Sequence, residues 1–379
     1  MSDTHFDYVT VGHVTRDAIE HTKHETLYRV GGSAFYSALQ AARLGMRTLI
    51  LTQGVPSEIE ELLAPYRQEL ELRVIPAAHT TTLSVRGAGT KRTQRLLAWA
   101  GPMVEAISVD TGILHLAPVA RETPVSWEGE AGFVGVTPQG LVRRWREEEG
   151  IPFVPLQAGP LGDSPLLAAD EEDLPGDISA VALDPAQLPD RFDAAVIAEH
   201  ERSSCHALFT AARRCGANVA VTAGPRRTTV HLHGAGAVGQ GAVGQGGVGQ
   251  GPDIDRLDID RPAIDGPDID RPDIDGPDID GPDTDRPDTD RPGIDRPDID
   301  RPVVGGSLAE ASVVQTPLPP TVAMCDDIGA GDVFAAAFFV ALAENRAPLQ
   351  AAVFANAAAA IRIAGEGPDA IASREQIIP

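Results

Sequence analysis

The sequence predicts an α/β fold with a mostly parallel sheet flanked by helices on both faces. Short apolar runs typical of strands alternate with longer segments typical of helices, and this alternation indicates parallel strands joined by crossover helices. The chain has 379 residues and is 42% apolar, which is ample for one large α/β domain. The candidate strands are Val9–Val11, Thr48–Thr52, Ile113–Ala117, Ala180–Leu183, Ala194–Ala198 and Val219–Thr222. The candidate helices are Ser33–Leu44, Glu58–Gln68, Ser203–Arg214 and Leu349–Ala364.

Glycines and a carboxylate mark the start of the first predicted helix. Gly31 and Gly32 permit close approach of the backbone to a bound molecule, or form a simple tight turn. Asp17 follows the first strand and is a candidate hydrogen-bond acceptor for a bound molecule; the alternative is a solvated loop charge. Because sites in parallel sheets lie at the carboxyl ends of the strands, we expect these residues to border the site.

A second motif lies near the C-terminus, where Gly329-Ala330-Gly331-Asp332 directly precedes an apolar, Ala-rich segment, Val333–Leu342. That segment is predicted to be helical, so the small residues would form a helix N-terminus. Unpaired N–H groups and the helix dipole favour an anion there, such as a phosphate. Asp332 then suits a general base for phosphoryl transfer, and the alternative is a capping Asp.

A low-complexity insert divides the predicted domain. Residues 251–300 are ten pentapeptides of the type Arg/Gly-Pro-Asp-Ile-Asp, with 18 Asp and 6 Arg. Proline every fifth residue excludes a helix or central strand, and one Ile per repeat is too little apolar surface to offset the ordering entropy. We expect residues 234–302 to be disordered; calcium binding by the Asp-x-Asp pairs is the alternative. Thr228–His233 and Ser312–Gln315 are then two neighbouring strands whose turn the insert replaces.

Composition excludes several classes of protein and partner. The net charge of −24 argues against a nucleic-acid partner, because the phosphate backbone is itself anionic. No apolar run approaches the ~20 residues that a membrane-spanning helix needs, and the N-terminus lacks the apolar stretch of a signal peptide. We therefore expect no membrane partner and a cytoplasmic location. The three cysteines, Cys205, Cys215 and Cys325, are too few and too scattered for a disulfide framework or a zinc site.

Both glycine motifs resemble signatures of the ribokinase-like (PfkB) carbohydrate kinases. Gly31–Gly45 resembles the first signature, a Gly-Gly pair that opens a small-residue helix ending in Leu-Gly, and Asp326–Asp332 resembles the second. The two motifs stand in the family's order at opposite ends of the chain. The resemblance implies a ribokinase-like domain over residues 1–233 and 303–379, interrupted by the insert, with a small β lid from about residues 13–30 and 78–98.

The resemblance also implies an activity and its participants. The expected reaction transfers phosphate from ATP, with Mg²⁺, to a hydroxyl of a small sugar, inositol or nucleoside, and the family's lids often pair as homodimers. It implies Asp332 as general base and Gly329, Ala330 and Gly331 as the anion hole. It further implies Asp17, Gly31, Gly32 and Arg92 on the substrate side, Thr222, Gly224 and Asn356 on the nucleotide side, and Glu201 near the metal. For Arg92, Glu201, Thr222, Gly224 and Asn356 the alternatives are purely structural or surface roles.

Several positions depart from the family's pattern. Tyr36 and Ala198 stand where the family commonly has Asn, Arg227 where it has Gly, and Asp327 and Ile328 where it has Thr. These departures leave a second interpretation open, namely a catalytically impaired pseudokinase that binds a sugar-like ligand as a sensor. A third interpretation is an interaction protein whose acidic repeat recruits a basic partner or a cation.

Overall fold

Parallel strands build the centre of the molecule. The structure is a computed structural model and describes residues 5–22, 25–87, 92–104, 107–145, 178–233 and 312–377. The strands of these residues are β1 (Phe6–Val11), β2 (Thr15–Thr22), β3 (Glu25–Gly31), β4 (Thr48–Gly54), β5 (Glu71–Pro76), β6 (Thr82–Arg86), β7 (Thr93–Ala98), β8 (Ile107–Ser108), β9 (Thr111–Leu116), β10 (Trp127–Glu128), β11 (Ala131–Val136), β12 (Arg143–Trp145), β13 (Ile178–Ala180), β14 (Ala194–Ala198), β15 (Asn218–Thr222), β16 (Thr229–Leu232) and β17 (Ser312–Gln315). The helices are α1 (Ser33–Arg43), α2 (Pro56–Leu63), α3 (His206–Cys215), α4 (Ala330–Ala343), α5 (Pro348–Ala364) and α6 (Arg374–Ile377).

Within the described residues, nine strands form the central sheet in the order β17-β16-β15-β14-β11-β9-β1-β4-β5. The seven strands from β15 to β5 are parallel, whereas β16 and β17 are antiparallel additions at one edge. The predicted mostly parallel sheet is therefore confirmed. At its antiparallel edge, Leu232 pairs with Ser312, so the chain leaves the sheet after β16 and re-enters it at β17.

Helices cover both faces of the sheet, as predicted. Alternation along the strands decides which side chains meet which helices: in β1, Tyr8 packs with α1, α2, α4 and α5, whereas Val9 and Val11 pack with α3 on the opposite face. Helix α4 is apolar all round and is buried from Val333 to Ala341. Its alanines allow the similarly Ala-rich α5 to pack closely against it, which fixes the start of α4 firmly in the fold.

A separate four-stranded sheet has the order β3-β2-β6-β7. Strands β2 and β3 form an antiparallel pair, β2 and β6 pair in parallel, and β6 and β7 are antiparallel. These strands fall within the residues predicted to form a small β lid, about 13–30 and 78–98. We refer to β2, β3, β6 and β7 as the lid sheet.

Some predicted elements have other bounds or places. The prediction of a core strand over Ala180–Leu183 is wrong: only Ile178–Ala180 is a strand, and it pairs with β12 outside the central sheet. Helix α2 ends at Leu63 rather than Gln68, because Pro65 cannot continue an α-helix and a 3₁₀ turn, Ala64–Tyr66, follows. The predicted disordered insert, residues 234–302, lies outside the described residues. Among the helices of the described residues, none has the length and apolar character needed to cross a bilayer.

Candidate active site

A cleft of about 1620 Å³ opens where the parallel strands end at their carboxyl termini, beneath the lid sheet. Residues that follow β11, β14 and β15 form its floor, and the first turn of α4 forms one wall. Of the twelve residues assigned to the site from the sequence, eleven line this cleft: Asp17, Gly32, Arg92, Glu201, Thr222, Gly224, Gly329, Ala330, Gly331, Asp332 and Asn356. The twelfth, Gly31, lies immediately behind Asp17.

The turn before α4 has a geometry that requires glycine. Gly329 has φ = 77°, in the left-handed region, and a Cβ built on it would lie 2.3 Å from the ring of Tyr36. A Cβ built on Gly331, by contrast, meets nothing within 4 Å among the described residues. The N-terminus of α4 therefore faces open space at Gly331. The Ala330 N–H is engaged by the carbonyl oxygen of Asp327 at 3.3 Å, so the N–H groups of Gly331 and Asp332 are the ones available to an anion in the cleft.

Asp332 lies in the first turn of α4 and points its half-buried carboxylate into the cleft. Burial raises the pKa of this carboxyl from 3.8 to about 6, although the hydrogen bond from Ser33 and the charge of Arg143 oppose the increase. Helix α1 also holds the backbone in place, because the Ser37 hydroxyl donates to the main-chain oxygen of Asp332 at 3.3 Å. Such a carboxylate is a stronger base than an exposed one and is still ionised at neutral pH.

Asp17 projects from β2 into the same cleft and is almost fully buried. The Thr15 hydroxyl donates to its Oδ1 at 2.6 Å. Burial raises the pKa of Asp17 to about 6, against the hydrogen bond from Thr15 and the charges of nearby arginines. A Cβ on Gly31 would lie 2.1 Å from Asp17 Oδ2, so the glycine at the end of β3 leaves room for this carboxylate.

Gly32 sets the entry into α1. Its φ is 96°, and a Cβ there would lie 2.3 Å from the carbonyl oxygen of His13. Only glycine combines that backbone conformation with such close packing. Helix α1 then starts at Ser33, whose side chain hydrogen-bonds to Asp332.

The far half of the cleft is mostly apolar. Its walls come from the loop after β15, the loop after β17 and one side of α5: Thr222, Gly224, Pro319, Pro320, Val322, Met324, Ala359, Ala360 and Ile363. Asn356 lies at its edge, but both ends of its amide are engaged, because Oδ1 accepts from Thr228 at 2.9 Å and Nδ2 donates to Thr316 at 3.1 Å. Asn356 therefore holds β16 and the loop after β17 against α5, which gives this half its shape.

Glu201 follows β14 and lines the cleft near Asp332. One of its carboxylate oxygens, Oε2, accepts from the Ala198 N–H at 3.0 Å. Within the described residues, no group of three or more His, Cys, Asp or Glu side chains is arranged to hold a metal ion. One carboxylate beside a phosphate site fits Mg²⁺, which binds largely through water and substrate phosphates, and does not fit a metal that needs a protein cage.

Arg92 connects the lid sheet to the turn before α4. It precedes β7 and forms an ion pair with Asp327, the residue that stands where the family commonly has Thr. Both side chains line the cleft and are about one-fifth exposed. The guanidinium is thus held at the cleft wall, next to the predicted anion site.

Two charged groups at the site were not among the residues assigned to it from the sequence. Arg143 of β12 is buried in the cleft wall. Asp326, at the start of the second motif, forms ion pairs at 3.0 Å with Arg29 of β3 and with the fully buried Arg362 of α5. The three arginines, Arg143, Arg29 and Arg362, belong to no recognisable local motif. Packing between the lid sheet and the helices brings them to the site.

Comparison with known proteins agrees with this geometry. Residues 305–374 match the family model of the pfkB family carbohydrate kinases. No curated protein matches the sequence. Among solved structures, ribokinase from Arabidopsis thaliana with ribose and ATP is 15% identical, with a TM-score of 0.55 over 98% of this chain and 97% of that one.

Two further structures are similar. A pyrophosphate-dependent kinase of the ribokinase family, in complex with a pyrophosphate analogue and myo-inositol, is 14% identical, with a TM-score of 0.54 and 98% of each chain covered. A nucleoside kinase from Burkholderia thailandensis with inosine is 13% identical, with a TM-score of 0.52 over 98% of this chain and 95% of that one. The fold and the match over the second signature together confirm the resemblance to the ribokinase-like (PfkB) carbohydrate kinases.

Proposed function

We propose that this protein is a kinase that transfers the γ-phosphoryl group of ATP to a hydroxyl of a small sugar, inositol or nucleoside. One observation carries the proposal. Asp332 and the open helix N-terminus at Gly331 occupy one wall of a cleft whose other residues include the buried Asp17. A base, an anion site and a hydroxyl-binding carboxylate thus face one space, as phosphoryl transfer to an alcohol requires.

The chain's own groups then account for each part of the reaction. Asp17 accepts a hydrogen bond from an acceptor hydroxyl and orients the ring. Asp332 takes the proton of the attacking hydroxyl, a bond forms between that oxygen and the γ-phosphorus, and the bond from phosphorus to the β-phosphate oxygen breaks to leave ADP. The N–H groups at the start of α4 stabilise the charge on the transferred phosphoryl group.

The metal and the donor fit the rest of the cleft. Mg²⁺ would neutralise phosphate charge when bound, and Glu201, which lines the cleft, would hold its water shell. The apolar walls formed by Val322, Ala359 and Ile363 suit a nucleobase, which favours ATP over pyrophosphate as donor. Because one structurally similar kinase is pyrophosphate-dependent, both donors belong in the test.

The test measures formation of ADP, or of phosphate from pyrophosphate, with Mg²⁺ and a panel of pentoses, hexoses, inositols and nucleosides. We expect acceptor-dependent turnover with ATP, and a loss of about 10²–10⁴-fold in kcat for Asp332→Asn, the range that a general base contributes. Asp7→Asn is the matched control, because Asp7 is exposed and lies at the amino end of β1, away from the cleft.

Two outcomes would overturn the proposal. Equal activity of Asp332→Asn and the wild type would remove Asp332 from the role of base. A folded protein that binds a panel member but turns over neither donor would instead be a catalytically impaired relative, as the substitutions at Ala198, Arg227 and Ile328 suggest.

A further inference from the structure

Arg143 is a buried cation in the wall of the cleft. It begins the short strand β12, is only 9% exposed and lines the same space as Asp17 and Asp332. Among the described residues, no carboxylate lies within 4.0 Å to form an ion pair with it. Attraction to Glu201, Asp332, Glu122 and Asp17 at longer range offsets part of the cost of burying this charge, while no direct ion pair among the described residues occupies its N–H donors.

Two hydrogen bonds fix the orientation of the guanidinium. Nη1 donates to the carbonyl oxygen of Val119 at 2.9 Å, and Nη2 donates to Gln94 Oε1 at 2.8 Å. Val119 follows the carboxyl end of β9, an interior strand of the central sheet, whereas Gln94 belongs to β7 of the lid sheet. A guanidinium carries five N–H donors, so donors remain beyond these two bonds.

The surrounding charges indicate the kind of ligand. The positive charge of Arg143 lowers the pKa of both Asp17 and Asp332, which places the guanidinium within electrostatic reach of the two carboxylates. Glu122 and Glu201 add further negative charge around it. An anionic substituent next to Arg143 would therefore be repelled by its neighbours, whereas a neutral hydroxyl oxygen would not.

We propose that Arg143 and Asp17 bind two adjacent hydroxyls of the acceptor. Asp17 accepts a hydrogen bond from one hydroxyl, and Arg143 donates a hydrogen bond to the oxygen of the next. Asp17 offers only acceptors and Arg143 only donors, so together they recognise two neighbouring hydroxyls of a neutral polyol, a vicinal diol. The inference rests on the proposed function, according to which this cleft binds the acceptor. It narrows the acceptor class to uncharged vicinal diols.

The experiment measures binding directly, without turnover. The Kd values of D-ribose, inosine and myo-inositol, and of a monodeoxy analogue of each at every ring hydroxyl, are determined by calorimetry in the absence of a phosphate donor. The variants are Arg143→Met, which keeps the length of the side chain but removes its charge, and Arg143→Lys, which keeps the charge but loses the planar guanidinium with its several N–H donors. Arg144→Met is the matched control, because Arg144 is the next residue of β12 and is exposed.

We expect Arg143→Met to weaken binding of the preferred probe by roughly tenfold to a hundredfold, the range for a hydrogen bond from a charged group. Arg143→Lys should fall between that variant and the wild type, and Arg144→Met should bind as the wild type does. The wild type should discriminate against the analogue that lacks one hydroxyl of the diol. Arg143→Met should lose that discrimination and keep its discrimination at the other positions.

Other results would overturn the inference. Binding by Arg143→Met within twofold of the wild type would exclude the contact, as would failure of all three vicinal diols to bind the wild type. If Arg143→Met does not fold, Gln94→Leu provides the second test, because it keeps the guanidinium but removes one of the two acceptors that orient it. It should weaken binding of the same probe and reduce the same discrimination. Binding that follows this pattern without any turnover would uphold the inference while refuting the kinase.

Discussion

Two carboxyl groups in the cleft, Asp17 and Asp332, have raised pKa values for the same reason. Each is withdrawn from water by the walls of the cleft, and in each case burial outweighs the hydroxyl and arginine neighbours that favour the ionised form. With pKa values of about 6, both are ionised at neutral pH, yet both bind a proton far more readily than a surface Asp. For Asp332 this is the property that a proton acceptor needs.

The raised pKa of Asp332 leads to a pH prediction. The proposed base works only when deprotonated, so kcat/KM should rise with pH through about 6 and then level off. Protonation of Asp17, which also has a pKa of about 6, should steepen the acidic side beyond a single ionisation. The measurement is initial rate at low acceptor concentration from pH 5 to 8, with circular dichroism at each pH to exclude unfolding. Constant kcat/KM down to pH 5 in a folded protein would contradict the prediction.

At this scale the sequence predicts residues that belong to local motifs and gives no sign of those that do not. Asp332 and Gly329 were assigned to the site because a glycine turn before an apolar helix predicts a helix N-terminus open to an anion, and both residues line the cleft. Arg143 was missed because its place depends on contacts with Val119 and Gln94, which lie 24 and 49 residues away in the chain. No periodicity or spacing in the sequence brings those three residues together.

The N-terminus of α4 combines two glycines with different requirements. Gly329 is constrained by its positive φ and by the ring of Tyr36, whereas Gly331 has open space around it. The first glycine therefore serves the fold of the turn, and the second serves access to the backbone.

Substitution of each glycine by alanine should separate stability from activity. Gly329→Ala should lower the melting temperature and the activity together, because the left-handed backbone alone costs about 1–2 kcal/mol and the new methyl group meets Tyr36. Gly331→Ala should keep the melting temperature, since alanine favours a helix. Its kcat should nevertheless fall by about 10²-fold, the loss expected when a phosphate is displaced by ~1 Å. Thermal melts and steady-state kinetics of both variants test this, and equal effects on stability would contradict it.

Asp326 ties two elements, the lid sheet and α5, to this turn. It binds Arg29 of the lid sheet and Arg362 of α5, and its Oδ1 accepts from the Ile328 N–H at 3.0 Å. Burial alone would raise its pKa, but the Ile328 N–H and the two arginines outweigh burial and lower it. The ionised form therefore stabilises the fold above the usual pKa of Asp, and this contribution is lost as the pH falls through the lowered value.

Asp326→Asn should destabilise the protein strongly at pH 7. Arg362 is fully buried and stacks over the Tyr36 ring at 5.5 Å, so the substitution leaves an uncompensated charge at a cost of about 3–5 kcal/mol. Urea unfolding at pH 7 measures the change. Glu71→Gln is the control, because it breaks the exposed pair with Arg47 and should cost only about 0–1 kcal/mol. Similar losses for both variants would contradict a structural role for Asp326.

The predicted elements that differ from the structure show the limits of local patterns. Ala180–Leu183 is apolar enough for a core strand, yet the central sheet has no place for it between β11 and β14, which pair directly. The signal for the end of α2 was present in the sequence, since Pro65 lies in its last predicted turn, but the apolar spacing continues beyond it. Pairing partners and helix ends are decided by the rest of the fold.

For the whole molecule, the described domain should not depend on the acidic repeat. Deletion of residues 251–300 should leave kcat/KM and the melting temperature close to those of the full chain. Strands β16 and β17 pair directly on either side of the insert, and a loop shortened by a factor of about three changes the closure entropy by only ~1 kcal/mol. Loss of activity on deletion would favour the interpretation in which the repeat recruits a partner or a cation. The full-length protein is the reference for both measurements.

The fold as a whole was accessible from the sequence because several independent signals agree. The alternation of strands and helices, the two motifs at opposite ends and the strands that flank the insert all predict one arrangement, and the structure has it. The proposed role of Arg143 was not accessible, because Arg143 reaches the cleft wall through contacts with Val119 and with Gln94 of the lid sheet. Those contacts join segments that are distant in the chain, and local sequence patterns do not predict them.

The antiparallel edge of the central sheet decides where the molecule can be tethered. Strand β15 ends at Thr222 beside the cleft, so β16 carries the chain back toward the other end of the sheet, where Leu232 meets Ser312. A dye or a resin linker attached next to Leu232 or Ser312 would therefore join the domain at the end of the sheet remote from the cleft. The protein can be immobilised there with the cleft left accessible from the opposite side.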